Sequence, residues 1–213
     1  MLSLIIDTSC DDYFLAIFHE NTLLVQKKIS TKTRQSHLIM THIQSLFNEC
    51  SLALNALTTI GVCVGPGSFT GTRIGVMVAK TLSFALHIPL VPFHSTEAYK
   101  PMKKTSQFGL IIDAKTDSYY FGLGSTLLSK DLSFDPPVLL KKEEVPSLPL
   151  ITPQPHLIDC FDKMTPALYD APRIAALVEK RFKIQGGLFH DKIQVLYLKN
   201  PANSKPVQES VLG

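Results

Sequence analysis

Leu4 to Phe18 reads LIIDTSCDDYFLAIF, and Leu110 to Gly124 reads LIIDAKTDSYYFGLG. Both stretches carry Leu-Ile-Ile-Asp, then Asp11 or Asp117, then Tyr13 or Tyr119. In each, an apolar, β-branched run stops at an aspartate, turns through polar residues and resumes as a second apolar run, which is the pattern of a β-hairpin. Chance likeness between two β-rich segments is the plain alternative. The separation is far longer than a solenoid period, so the echo predicts two related lobes, each opening with its own hairpin.

Working outward from the hairpins, Leu23 to Ile29 predicts a third strand. Ser36 to Cys50 sets Ile39, Ile43, Leu46, Phe47 and Cys50 on one helical stripe behind a Ser36 N-cap. A strand at Ile60 to Val64, a helix from about Thr72 to Leu86 and an apolar run at Pro89 to Phe93 continue an α/β alternation with mixed strand order. Beyond the second hairpin, Pro136-Pro137 and VPSLPLITPQP (Val145 to Pro155) read as extended connections. A helix is predicted at Pro172 to Phe182, ended by Gly186-Gly187, and a strand at Ile193 to Leu198. The division that follows is an N-terminal lobe over 1–100, a shortened C-terminal lobe over 101–199 and a loose tail over 200–213.

A chain of 213 residues, 45% hydrophobic, can bury a real core. Its net charge of +3 is spread thinly, which leaves nucleic acid as a shared partner at most. Cys10, Cys50, Cys63 and Cys160 stand far apart with no C-x-x-C pair, so neither a zinc site nor a disulfide framework is suggested. The opening MLSLIID meets Asp7 too early for a signal segment, and no run of about 18 apolar residues occurs. A cytoplasmic protein without membrane contact is expected.

GPGSFTGTRIG, from Gly65 to Gly75, stands between a strand and a helix, where free backbone N–H groups can receive an anion. A P-loop needs Lys and then Ser or Thr after its second glycine, but Thr72 and Arg73 follow Gly71. The dinucleotide fingerprint fails too, because its third glycine would fall on Thr70. The remaining reading is a tight turn with Thr70 as N-cap. Behind it, Gly75, Ala79 and Ser83 recur every fourth residue, a small-residue strip that another helix could approach closely, while Ile74, Val78 and Leu82 face the sheet. The strip could equally receive an element of the same chain.

The N-terminal IIDTS, the turn GPGSFTGTRIG, the HSTEA after Phe93 and the second hairpin IIDAKTDSYYFGL together resemble the TsaB (YeaZ) family of tRNA threonylcarbamoyladenosine biosynthesis proteins. The resemblance covers roughly the first 125 residues. It implies the actin-like (ribonuclease H-like) two-lobed fold with mixed sheets, and a part in modifying the adenosine beside the tRNA anticodon. It further implies that this chain is not itself an enzyme. It would be a non-catalytic partner of a TsaD-type catalytic subunit, with the ATPase TsaE joining the complex, tRNA reached indirectly, and self-pairing as a homodimer when the partner is absent. The two helices of the first lobe would make the contact, which assigns His37, Ile39, Ile43, Arg73, Gly75, Ala79 and Ser83 to the interface.

The residues offer little chemistry of their own. His37 and His42 are five positions apart, which turns them roughly 140° from each other on a helix, so one ion cannot take both. No metal or other cofactor is expected. Actin-like ATPases place a glycine in the phosphate hairpin, but Asp7-Thr8-Ser9-Cys10 and Asp113-Ala114-Lys115-Thr116 have none. Asp7, Thr8 and Ser9 are left as a weak nucleotide-binding candidate at best. The rival class is an actin-like small-molecule kinase or ATPase, and a direct tRNA-binding module lacks a basic patch with interleaved aromatics.

Overall fold

The computed structural model describes residues 1–30, 38–125 and 132–198. The first lobe runs β1 (Leu2–Asp7), β2 (Asp12–His19), β3 (Thr22–Ser30), α1 (Ile39–Glu49), β4 (Thr59–Cys63), α2 (Phe69–Leu86) and β5 (Leu90–Phe93). The second runs β6 (Tyr99–Pro101), β7 (Gln107–Asp113), β8 (Ser118–Ser125), β9 (Ser133–Phe134), β10 (Val138–Lys141), β11 (Leu150–Thr152), β12 (Met164–Tyr169) and α3 (Ala171–Gln185).

Both echoed stretches are hairpins. β1 pairs antiparallel with β2 from Leu2↔His19 to Asp7↔Phe14, and β7 pairs antiparallel with β8 from Gln107↔Ser125 to Asp113↔Tyr119. The echo extends to topology. The first sheet is ordered β3-β2-β1-β4-β5, with β4 and β5 parallel to β1. The second is ordered β10-β8-β7-β11-β12-β6, with β11 and β12 parallel to β7 and β6 antiparallel at the edge. Its first five strands thus repeat the order of the first sheet.

What differs is the covering. Between β3 and β4 the first lobe carries α1, and between β4 and β5 it carries α2. The matching connections of the second lobe hold only short 3-10 turns, Lys142–Glu144 and Pro155–Cys160. Helix α3 crosses back instead and packs on β5, β1 and β4. A Cβ at Gly61 of β4 would lie 2.6 Å from Val178 Cγ2, so only glycine admits α3 at that distance. The helix starts at Asp170, whose carboxylate accepts from Arg173 N, and stops at Gly186 with φ 72°.

Strand β1 is buried along its whole length because it is covered on both sides. Leu4 and Ile6 join a core with α1 and α2, while the alternate Ile5 joins a second core with α3, Phe108, Leu110 and Ile112. The two sheets meet through that second core. Phe14 of β2 stacks on Tyr169 of β12 at 3.9 Å, and Arg181 of α3 clamps Glu97 at 2.7 Å. Among the described residues no helix is long and apolar enough to cross a membrane.

Four local expectations change. Helix α2 begins earlier than Thr72, and its N-cap is Ser68, not Thr70: the Ser68 hydroxyl accepts from Gly71 N at 3.1 Å. The stretch from Val145 to Pro155 is not purely a connection, because Leu150–Thr152 forms the buried strand β11. Ile193 to Leu198 is not a strand; it is held by its buried Ile193 and by Leu196 N donating to Val64 O at 2.8 Å. The Ser36 cap and the tail over 200–213 lie outside the described residues.

Candidate functional site

The glycine turn between β4 and α2 closes on the first hairpin. Ser68 N donates to Ser9 O at 2.7 Å, and the Thr8 hydroxyl donates to Gly71 O at 2.7 Å. A Cβ at Gly67 would collide with the Ser9 carbonyl, one at Gly71 with the Thr8 carbonyl, and one at Gly75 with the Thr8 hydroxyl. The glycines therefore let the start of a helix lie directly on a hairpin turn.

Under that cover, Asp7, Thr8 and Ser9 are all buried. Asp7 Oδ1 accepts from Ser9 N at 3.0 Å and from the Ser9 hydroxyl at 2.6 Å, while Oδ2 has no hydrogen-bond partner. Burial pushes the Asp7 carboxyl up, and this outweighs the bonds from Ser9 and the smaller opposing influence of the nearby Cys63 thiol and Tyr169 hydroxyl. The same burial, with Asp7 close by, pushes the Cys10 thiol up to about 12. So enclosed, the Asp7 carboxyl does not line the cleft beside it. The sign of its linkage follows: a raised folded-state pKa gives stability that is complete below the ordinary carboxylate range and is lost as pH rises through the folded value. Asp7→Asn is therefore expected to melt at or above the wild-type temperature at pH 7, with its advantage shrinking on acidification toward pH ~4. Thermal unfolding across that range checks it, and an Asn variant that is clearly less stable at pH 7 would refute it.

Beside the sealed hairpin, a cleft of 490 Å³ opens between the lobes, lined among others by Ser9, Asp11, Ser68, Asp113, Gln154 and Tyr197. Gln154, which carries no sequence signal, ties the two hairpins together. Its Oε1 accepts from Asp113 N at 2.7 Å and its Nε2 donates to Asp11 Oδ2 at 3.3 Å. Burial opposes the ionised Asp113, but Lys115 and His156 outweigh it and hold that carboxyl below its ordinary value. The Asp113 carboxylate facing the cleft is thus already engaged by the chain's own Lys115 and His156. Among the described residues no three of His, Cys, Asp and Glu gather as metal ligands would.

The interface residues separate into inner and outer groups. Gly75, Ala79 and Ser83 do not form an outward strip: all three are buried, with Ala79 0% exposed, against the chain's own sheet and hairpin. The Ser83 hydroxyl donates to Ile88 O at 2.6 Å within the turn that follows. Small residues are needed there because α2 lies so close to Thr8 and to β4. Ile39 and Ile43 are likewise buried in the core beneath α1. His37 lies outside the described residues. His42 sits on α1 with its ring 6.2 Å from that of Tyr13.

Arg73 alone of the α2 set faces outward. With it, and unforeseen from the sequence, stand Phe69 (53% exposed), Met77 (69%) and Phe84 (64%), about two helical turns apart along the outer side of α2. The Arg73 guanidinium lies 3.7 Å from the centre of the Phe69 ring and donates through Nε to the Tyr197 hydroxyl at 2.6 Å. This outer stripe is largely apolar and mostly exposed, with Arg73 on the Phe69 ring and His190 5.2 Å from the Phe84 ring.

Residues 25–133, just over half of the chain, match the TsaD family, tRNA N6-adenosine threonylcarbamoyltransferase. The tRNA threonylcarbamoyladenosine biosynthesis protein TsaB of Bacillus subtilis (strain 168) is 36% identical over 125 residues, which are 58% of this chain and 55% of that protein. A tRNA N6-adenosine threonylcarbamoyltransferase of Persephonella marina is 29% identical over 110 residues, 44% of this chain and 32% of that one. The chain thus spans about half the length, or less, of the curated relatives it matches. The crystal structure of YeaZ from Pseudomonas aeruginosa superposes with a TM-score of 0.75 at 21% identity, covering 92% of this chain and 99% of that one, which shows the shared fold. The match takes in a chain with no glycine in either hairpin turn: the chain belongs to the TsaD family and, within it, is similar to TsaB.

Proposed function

We propose that the chain is the non-catalytic partner subunit in forming threonylcarbamoyladenosine beside the tRNA anticodon, and that it works by pairing with a TsaD-type transferase subunit. The observation that carries this reading is the outer face of α2, where Phe69, Met77 and Phe84 stand exposed on one stripe. Large apolar side chains gathered on one helix face mark a surface that another protein covers. Because the family's lobe is common to both proteins, a TsaD-type partner would offer an equivalent helix, and the two would pack side by side. The ATPase TsaE would join through that pair, tRNA would be bound through it, and the same face would pair with a second copy when the partner is absent. A cytoplasmic place accords with this work, and no cofactor is needed for it.

The kinase or ATPase reading is less favoured, because the enclosed Asp7 is the group such an enzyme would use. The test is purification of the tagged, full-length chain from its native host. A TsaD-type protein should come down with it in near-equal amount. A folded chain that recovers none, together with ATP hydrolysis that vanishes on Asp7→Ala, would reverse the choice.

A further inference from the structure

Helix α2 carries two charged side chains, Arg73 and Lys80, and no acidic one. The acid of α1 is Glu49, which is already held by Lys27 and Ser45. The helical side of the lobe therefore offers a neighbour positive charge without a free carboxylate. Arg73 is also fixed in place. Its plane rests on Phe69, and Tyr197 takes its Nε–H, while its two Nη groups have no partner among the described residues. Tyr197 is itself anchored, since the segment leading to it pairs Leu188 with Leu90, buries Ile193 and bonds Leu196 to Val64.

We infer that the helix docking on α2 presents an aspartate or glutamate to the Nη groups of Arg73, and that Tyr197, reaching over from the C-terminal segment, is the positioning residue that holds this fork ready. The inference rests on the partner reading above and specifies its chemistry. A guanidinium whose Nε is already engaged keeps two parallel donors for one carboxylate, and that geometry rewards a planar, two-point acceptor. The occupant it selects is an acid-bearing partner subunit, not a second copy. Pairing two copies through these helices would set Arg73 and Lys80 against the same cations. The two associations should then respond to salt with opposite sign.

The experiment titrates the purified chain with a TsaD-type subunit, and separately measures its self-association by sedimentation, from about 0.05 to 0.5 M salt. Partner affinity should fall as salt rises, whereas self-association should hold or strengthen. Arg73→Glu should weaken partner binding at least about a hundredfold and Arg73→Lys roughly tenfold, with unchanged thermal unfolding, since the side chain is exposed. Tyr197→Phe, which keeps the ring and loses the hydroxyl, should cost about threefold or more in the wild type and nothing further in the Arg73→Lys background. A merely structural tyrosine would cost the same in both. If the subunit binds but ignores salt and Arg73→Glu, the inference falls while the partner reading stands. If a folded wild type binds no such subunit, both fall.

Discussion

Ala79→Arg is expected to leave no folded protein. Ala79 is wholly enclosed between α2 and the sheet, so a guanidinium there must force the helix away or sit unpaired in the core. Overpacking costs about 1–3 kcal/mol and an uncompensated buried charge several more, against the 5–15 kcal/mol that holds a typical domain together. Soluble yield and circular dichroism are the readouts. A variant that melts like wild type would return Ala79 to the surface and with it the small-residue strip as a docking face.

Met77→Glu, two residues earlier on the same helix, is expected to do the opposite. The side chain is mostly exposed, so stability should stay within about 0.5 kcal/mol, helped slightly by an ion pair with Arg73 one turn before it. Partner binding should nevertheless fall at least about a hundredfold. A methionine that a partner would bury contributes about 1.5–3 kcal/mol, and the new carboxylate would compete for Arg73 as well as being desolvated. Calorimetric titration beside a thermal melt separates the two effects, and full-strength binding by the variant would move the interface off α2.

The contrast between these neighbouring positions marks where the sequence was legible. The two LIID stretches announced the hairpins, because an apolar run that stops at an acidic turn and resumes reads the same way in any context. The side of α2 could not be read. Its outer residues Phe69, Met77 and Phe84 are as apolar as its inner ones, so no polar face pointed to solvent. Gly75, Ala79 and Ser83 declare only that something comes close. That something is the Thr8 turn and the sheet of the same chain, a contact between residues more than sixty positions apart. Strand β11 was hidden by Pro149 and Pro153 on either side of three residues, and its place between β7 and β12, not its own propensity, makes it a strand. Gln154 and Tyr197 had no signal at all: one bridges two hairpins and the other stabilises an arginine far upstream, and neither role leaves a local pattern.

A protein that acts through the outer face of α2, and not through the chemistry of its first hairpin, should betray this in its product. The most direct measurement is the threonylcarbamoyladenosine content of tRNA, by mass spectrometry of its nucleosides, in the native host carrying Asp7→Asn or Met77→Glu in place of the wild-type chain at matched protein levels. The account predicts near-normal modification with Asp7→Asn and its loss with Met77→Glu. Loss with Asp7→Asn and normal modification with Met77→Glu would contradict it.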